Sequence, residues 1–440
     1  MRKSLAKTES ILFYLLILFL PTQFGKHFWP EFSSVLGIRI DYLSPTIYFT
    51  DIIIAAVFIL WIRSKVNEKL QEKSKIKNQK SKLQFKIQNH RSVLAFIFVV
   101  CYLLLVVSLS GRRAGGLYSL MKFVEMAFVA YYAAKFINWK NELKIIALLL
   151  SVGVAFQSVL AIAQFATQSS VGGILYFVGE RAFSSGTPGI ANASLNGELV
   201  LRPYGSLPHP NVLAGYLLIS MVIIMTSLWK KHSTKTNMFK ISSVILGSAA
   251  LFLTMSRVAI SLWVLTVGYL VIKKIKQKRY IFAVLGISIL ALFTPIGSRF
   301  TDMNITDESI AQRSTLISAS VKMIERSPLF GVGLGNFLPT LATLQRPLTV
   351  GTYLQPVHNI YLLVAAETGF VGLGIFVWFL WKTFQKVRSQ KSEVGSGLLI
   401  VFSAVLILGL FDHYWLTLQQ GQLLFALIIG LCWANNKAAK

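Results

Sequence analysis

The apolar run Ile241–Ile272, ISSVILGSAALFLTMSRVAISLWVLTVGYLVI, is broken once, at Thr254-Met255-Ser256-Arg257. As a single helix it would be far longer than the roughly 20 residues that cross a bilayer. Basic clusters flank it: Lys230, Lys231, Lys235 and Lys240 before, Lys273 to Arg279 after. Lys and Arg mark cytoplasmic loops, so both flanks belong inside and an even number of spans lies between them. The chain is therefore expected to reverse at Thr254–Arg257, with two short arms and a turn at or below the outer headgroups. An arginine at that depth needs an anionic partner or a water-filled cavity. A backbone carbonyl partner is the alternative.

The same alternation runs along the whole chain. With 54% hydrophobic and 14% charged residues in 440, the sequence is too apolar for a soluble globular protein. The spans expected are Ile11–Phe24, Tyr48–Ile62, Ser92–Leu109, Leu117–Ile137, Leu143–Thr167, one starting at Pro210 and ending before Lys230, the two arms of Ile241–Ile272, Ile281–Pro295, Ile360–Trp381, Gly397–Leu410, and a last one ending near Trp433. This makes an all-α polytopic membrane protein of about twelve spans, a single integral membrane domain over 1–440 with both termini inside. The first apolar run lacks a small-residue cleavage site and reads as a span, not a signal peptide. A basic cytoplasmic loop, with a frayed helix as the alternative, covers 63–91, and a second basic inside loop covers Lys382–Lys391. Extracytoplasmic loops cover 168–210 and 297–357. Membrane lipid is the first partner implied. The net charge of +27 is spread over alternate loops, so it reads as positive-inside bias and implies no nucleic-acid partner. Cys101 and Cys432 both lie in spans, which argues against a disulfide or a cysteine metal site. Lys122 and Glu125, three apart within a span, are expected to neutralise each other.

Within the large loop, Ile310–Ile324 repeats apolar residues at three and four, the pattern of an amphipathic helix on or near the membrane. It ends at Ser327-Pro328. Gly331-Val332-Gly333-Leu334-Gly335-Asn336-Phe337 then turns the chain back. This glycine run lacks the strand and βαβ context of a dinucleotide loop, so its glycines are read as permitting tight turns and close backbone approach.

Gln355-Pro356-Val357-His358-Asn359 leads into the span that follows. Pro356 stiffens the approach, and Asn359 can cap or line the first turn. His358 at the mouth of a span is a candidate general base, or an interfacial histidine bonded to a loop carbonyl. The topology bears on this choice. Arg202, His209, Arg257, Arg313, His358 and Asp412 all fall on the outer face, whereas random placement would divide six groups between two faces. Several arginines with one histidine base suit a phosphate-bearing ligand. His209, His358 and His413 lack the spacing that puts two metal ligands on one helix face, so no metal is expected. The outer face holds no ATP, so a reaction there must use an activated substrate. A lipid-linked diphosphate sugar meets that condition, with its diphosphate at headgroup depth. His209, between Pro208 and Pro210, reads as a turn residue, and His413 as a substitute base.

Four pieces in order carry a family resemblance: Arg202-Pro-Tyr-Gly-Ser-Leu-Pro-His-Pro-Asn211; Thr254-Met-Ser-Arg257; Arg313 followed by Gly331-Val-Gly-Leu-Gly-Asn-Phe; and His358-Asn-Ile-Tyr-Leu with Glu367-Thr-Gly. Together they make the second half of the chain resemble the O-antigen ligase and O-antigen polymerase superfamily of membrane glycosyltransferases. The resemblance implies a GT-C-like architecture and transfer of a glycan from undecaprenyl diphosphate without metal or cofactor. Arg257, Arg313 and His358 would be the essential residues; Arg202, His209, Asn211, Asn359 and Asp412 are this chain's further candidates for binding substrate. It places the protein in the cytoplasmic (inner) membrane with the site outside. A ligase acting on a glycolipid acceptor such as a lipid A core is the leading reading. Repeat-unit polymerisation and transfer to a protein share its donor chemistry and remain open. A transporter would place ionisable groups and broken helices at the midplane, with repeated halves, and the sequence shows polar groups gathered at the outer face instead.

Overall fold

The computed structural model describes residues 2–75, 87–195, 197–228, 234–273, 286, 308–345 and 354–434. The expected span Ile281–Pro295, save Gly286, lies outside these residues, as do Asp302, Asp307 and much of the basic 63–91 loop.

The described chain is overwhelmingly helical: α1 (Arg2–Leu18), α2 (Phe49–Lys75), α3 (Ile87–Leu109), α4 (Arg113–Phe136), α5 (Trp139–Thr167), α6 (Pro210–Leu228), α7 (Thr234–Leu253), α8 (Arg257–Lys273), α9 (Glu308–Arg326), α10 (Phe337–Leu344), α11 (Ile360–Arg388), α12 (Glu393–Phe411), α13 (Tyr414–Thr417) and α14 (Gln419–Trp433). Five helices among the described residues are long and apolar enough to cross a membrane, in α5, α6, α7, α11 and α12. Shorter apolar helices lie within α1, α3, α8 and α14.

Helix α6 is the axis of the core. It is apolar on every side, and α5, α7, α8, α12 and α14 surround it. A helix without a polar face is stable only when enclosed, and nearly every residue from Val212 to Ser227 is buried. The break expected in Ile241–Ile272 is present between α7 and α8. Thr254–Ser256 leave the helix, with Met255 at φ 53°. Such a backbone is costly for a residue with a Cβ. The Thr254 hydroxyl accepts from Ser256 N (3.3 Å) and supports the bend.

Two boundaries differ from expectation, and in a third stretch the helical alternative is the one found. The first span ends at Leu18 rather than Phe24, because Pro21 cannot continue a helix. Lys382–Arg388, expected in a loop, continue α11, and 63–75 continue α2. Lysine and arginine are good helix formers whose long stems let the charge reach water from a helix end. The amphipathic helix α9 is where the periodicity put it, but one stripe of it faces protein. Leu316, Ala319 and Met323 are buried against Phe337 and Leu341 of α10 and Leu363 and Ala366 of α11, leaving Ile317 and Val321 exposed.

The glycine run docks against α11 where that helix breaks. Gly369 has φ 67°, so the α11 ladder is interrupted and its carbonyls turn to the loop. Val332 N donates to Ala366 O (2.8 Å), Gly333 N to Glu367 O (3.0 Å), and Phe370 N to Pro328 O (2.7 Å). Gly331 (φ 68°) and Gly369 face the opposing backbone so closely that a Cβ at either would collide with main-chain atoms. Three short antiparallel strand pairs lie in the described loops: β1 (Gly25–His27) with β4 (Thr46–Tyr48), between them β2 (Ser34–Val35) with β3 (Ile38–Arg39), and β5 (Asn192–Leu195) with β6 (Glu198–Leu201).

Candidate active site

Three chain segments separated by up to 201 positions meet beside the start of α11. Asn359 caps that helix: its Oδ1 accepts from Tyr361 N (2.9 Å) and Leu362 N (3.0 Å), while its amide donates to Leu410 O (3.2 Å). The side chain expected to bind substrate is thus engaged in fixing the helix mouth, and through Leu410 it ties α11 to α12. This brings His358 against Asp412, the residue closing α12, with Nδ1 of the ring 3.6 Å from Oδ1. That is ion-pair range but beyond a hydrogen bond.

Asp412 is held from three sides. Its Oδ1 accepts from His413 N (2.8 Å), and its Oδ2 accepts from Asn211 Nδ2 (2.8 Å). Asn211 in turn accepts from Arg202 Nη2 (2.7 Å), and Arg202 Nε donates to Thr254 O (2.8 Å) at the α7–α8 break. One polar relay therefore runs from the membrane turn that carries Arg257, through Arg202, Asn211 and Asp412, to His358. Burial alone would raise the Asp412 carboxyl. The facing His358 ring, with His413 and His209 behind it, instead holds it below the usual carboxylate range.

The two neighbouring histidines are held neutral. Burial pushes His209 down to about 3, aided by Arg202 beside it. Its Nδ1 accepts from Asn211 N (3.1 Å), so it does close a turn, as its flanking prolines suggested. Burial likewise pushes His413 to about 3 against the pull of Asp412, with the Arg313 charge adding to the effect. Nδ1 of His413 lies 2.6 Å from Thr417 Oγ1, and Thr417 gives its own proton to His413 O. That leaves Nδ1–H as the donor form. The His358 and His413 rings sit 5.0 Å apart.

Arg257 begins α8 and Arg313 lies on α9. Among the described residues neither guanidinium is engaged in a hydrogen bond or an ion pair. The structure thus links Arg202, His209, Asn211, His358, Asn359 and Asp412 directly, and places Arg313 within electrostatic reach of His413.

Sequence spacing missed one arrangement. His358, Asp412 and His413 bring three ligand-type atoms within 4.8 Å of one another, a grouping able to hold a metal ion. The expectation of no metal cluster, drawn from spacing along the chain, is corrected on that point. The third ligand comes from a loop two helices away. Arg202 and Arg313 give the surroundings a cationic field, which suits an anion better than a bare cation.

A cavity of about 1710 Å³ opens beside this cluster. His209, Tyr42, Pro356 and Thr417 line its upper end, and Tyr42 packs edge-on to His413 at 5.5 Å. His358, Arg257 and Arg313 do not line it, so the cluster stands at its rim, behind Tyr42 and Thr417. Lys122, predicted to pair with Glu125, is also on the wall. It donates to Glu125 (2.9 Å) and to Asp51 of α2 (2.8 Å), a partner 71 positions away that the sequence did not reveal.

Residues 242–377 match the family model described as O-antigen ligase. No curated protein matches the chain significantly. The matched segment contains Arg257, Arg313 and His358, whereas Arg202, Asn211 and Asp412 join them from outside it. The match supports a ligase- or polymerase-type glycosyltransferase, and the apolar helices make it a multi-pass membrane protein. The similarity to the O-antigen ligase family thus lies in this central segment, residues 242–377, which holds Arg257, Arg313 and His358.

Proposed function

We propose that the protein transfers a glycan from undecaprenyl diphosphate to an acceptor hydroxyl at the outer face of the cytoplasmic membrane, as an O-antigen ligase does, across about twelve spans. The observation that supports this reading most is the His358–Asp412 pair, set on an arginine relay at the rim of a deep, largely apolar cavity. With Nδ1 turned to Asp412, Nε2 of His358 is the nitrogen free to act. It takes the proton of the acceptor hydroxyl as the acceptor oxygen bonds to the anomeric carbon. The bond from that carbon to the phosphate oxygen breaks, and its electron pair leaves with the diphosphate. The anomeric centre inverts. Arg257 and Arg313 receive the departing charge, Arg202 holds the membrane turn in register with Asn211, and Asp412 faces the imidazolium that forms. The reaction as written needs no metal.

His358→Ala tests the assignment. The variant is expected to insert normally and bind the lipid-linked donor, while transfer falls about 10²–10⁴-fold, the usual worth of a general base. Glycan should then accumulate on its carrier in cells. Near wild-type transfer by a normally expressed variant would remove His358 from the mechanism.

A further inference from the structure

The cavity beside the active site continues far beyond it. Its wall on α4 runs from Gly115 to Lys135, on α14 from Gln419 to Trp433, and on α11 from Leu363 to Lys386. The stretches on α4 and α11 each exceed twenty residues, and twenty residues of helix are about 30 Å, the full thickness of a hydrocarbon core. Along this length the lining is largely apolar, with Phe123, Met126, Ile375, Phe379, Phe425 and Ile429 among it. The cavity is thus a groove of membrane length, and His209 marks one end.

The other end is cationic. Lys135 in the last turn of α4 and Lys382 and Lys386 on α11 all line it. Lys382 and Lys386 are four apart and so share a helix face. None of the three is in an ion pair among the described residues; Lys382 reaches only Gln385 Oε1 (3.5 Å), and Lys135 lies over the Tyr131 ring (5.9 Å). Trp433 and Trp378 line the groove near the lysines, and the Trp433 indole donates to Thr383 Oγ1 (3.0 Å), fixing α14 to α11 between the two lysines. Ammonium groups with indole rings at the end of an apolar groove reproduce the chemistry of a lipid headgroup layer. This end lies more than twenty residues along α11 from His358, too far for the donor diphosphate held there to reach it.

We propose that the lysine-lined end binds the phosphate of an anionic phospholipid, whose acyl chains lie along the adjoining half of the groove. The proposal rests on the membrane-embedded fold and stands apart from the glycan-transfer reading.

The full chain, purified and delipidated, is titrated with phosphatidylglycerol and with phosphatidylcholine of the same acyl chains, and retained lipid is read by native mass spectrometry. No glycan donor is present, so the outcome is independent of catalysis. The wild type is expected to retain phosphatidylglycerol preferentially. The triple variant Lys135→Gln, Lys382→Gln, Lys386→Gln should bind it on the order of 10²-fold more weakly, with phosphatidylcholine unchanged. The triple Lys→Arg variant keeps the charge and should retain the preference. Equal retention of both lipids by the wild type, undiminished retention by the Gln variant, or loss in the Arg variant as deep as in the Gln variant would each overturn the proposal. Displacement of the lipid by millimolar inorganic phosphate would also overturn it, because the ligand would then be free phosphate.

Discussion

Replacing Asp412 by Asn removes one charge at nearly constant shape, 3.6 Å from the ring nitrogen of His358. At an effective dielectric of about 20, two unit charges at that separation interact by about 4–5 kcal/mol. This interaction exists only once His358 has taken a proton, so its loss falls on the transition state. Each 1.36 kcal/mol is about tenfold in rate, and allowing for partial solvent access the expected loss is roughly 10²–10³-fold in transfer. Donor binding should change little, because the diphosphate is assigned to the arginines. The substitution has a structural cost as well. Asp412 Oδ2 accepts from Asn211 Nδ2, and an amide there would oppose one NH₂ group to another, a loss of about 1–3 kcal/mol. The double variant Asn211→Asp, Asp412→Asn separates the two effects. It restores a donor–acceptor pair between these positions and gives Arg202 a carboxylate, yet leaves position 412 neutral. Folded yield and melting temperature should recover, while transfer from a synthetic lipid diphosphate donor, followed by gel mobility of the acceptor, should not. Recovery of transfer along with stability would show that Asp412 serves only to hold the loop, and the charge argument would fail.

Other outcomes follow from the same geometry. Arg257→Lys and Arg313→Lys keep the charge but lose the bidentate fork, so each should lose much of its transfer activity and donor affinity; full activity of both would remove them from diphosphate binding. Transfer should persist in EDTA, and a loss that added divalent metal reverses would turn the His358, Asp412 and His413 grouping into a metal site. His209 and His413 have folded pKa values near 3 against an ordinary 6.5. The unfolded chain therefore takes up protons first, and their contribution to stability declines as pH falls from about 6.5 toward 3. His413→Gln should flatten that decline in a thermal melt series, and an unchanged slope would mean that His413 is not held neutral.

Much of this architecture is local and therefore readable along the chain. The break at Thr254–Ser256 follows from an apolar run too long for one span between two basic flanks. The amphipathic α9 follows from its periodicity, and the Asn359 cap from its place before an apolar helix. Charge parity predicts Arg202, His209, Arg257, Arg313, His358 and Asp412 on one face, and the fold joins Arg202, His209, His358 and Asp412 of these through Asn211. Parity also put His413 there beside Asp412, a signal that could have admitted it to the site.

Depth, partnership and protonation were decided only by the tertiary fold. His358 and Asp412 meet because α11 and α12 return side by side and Asn359 bonds Leu410, a contact invisible to spacing rules that look three or four residues away. Asn211 reaches Asp412 across 201 positions because α6 is the enclosed axis of the bundle. Lys122 looked neutralised by Glu125 alone until α2 brought Asp51 to it. The Lys382–Arg388 stretch looked like a loop by charge, but a helix end can carry such charge into water on long stems. The physical reason is common to these cases. Hydropathy and capping act over one or two turns and print themselves on the sequence, whereas desolvation and ion pairing depend on which distant helix supplies the opposite wall.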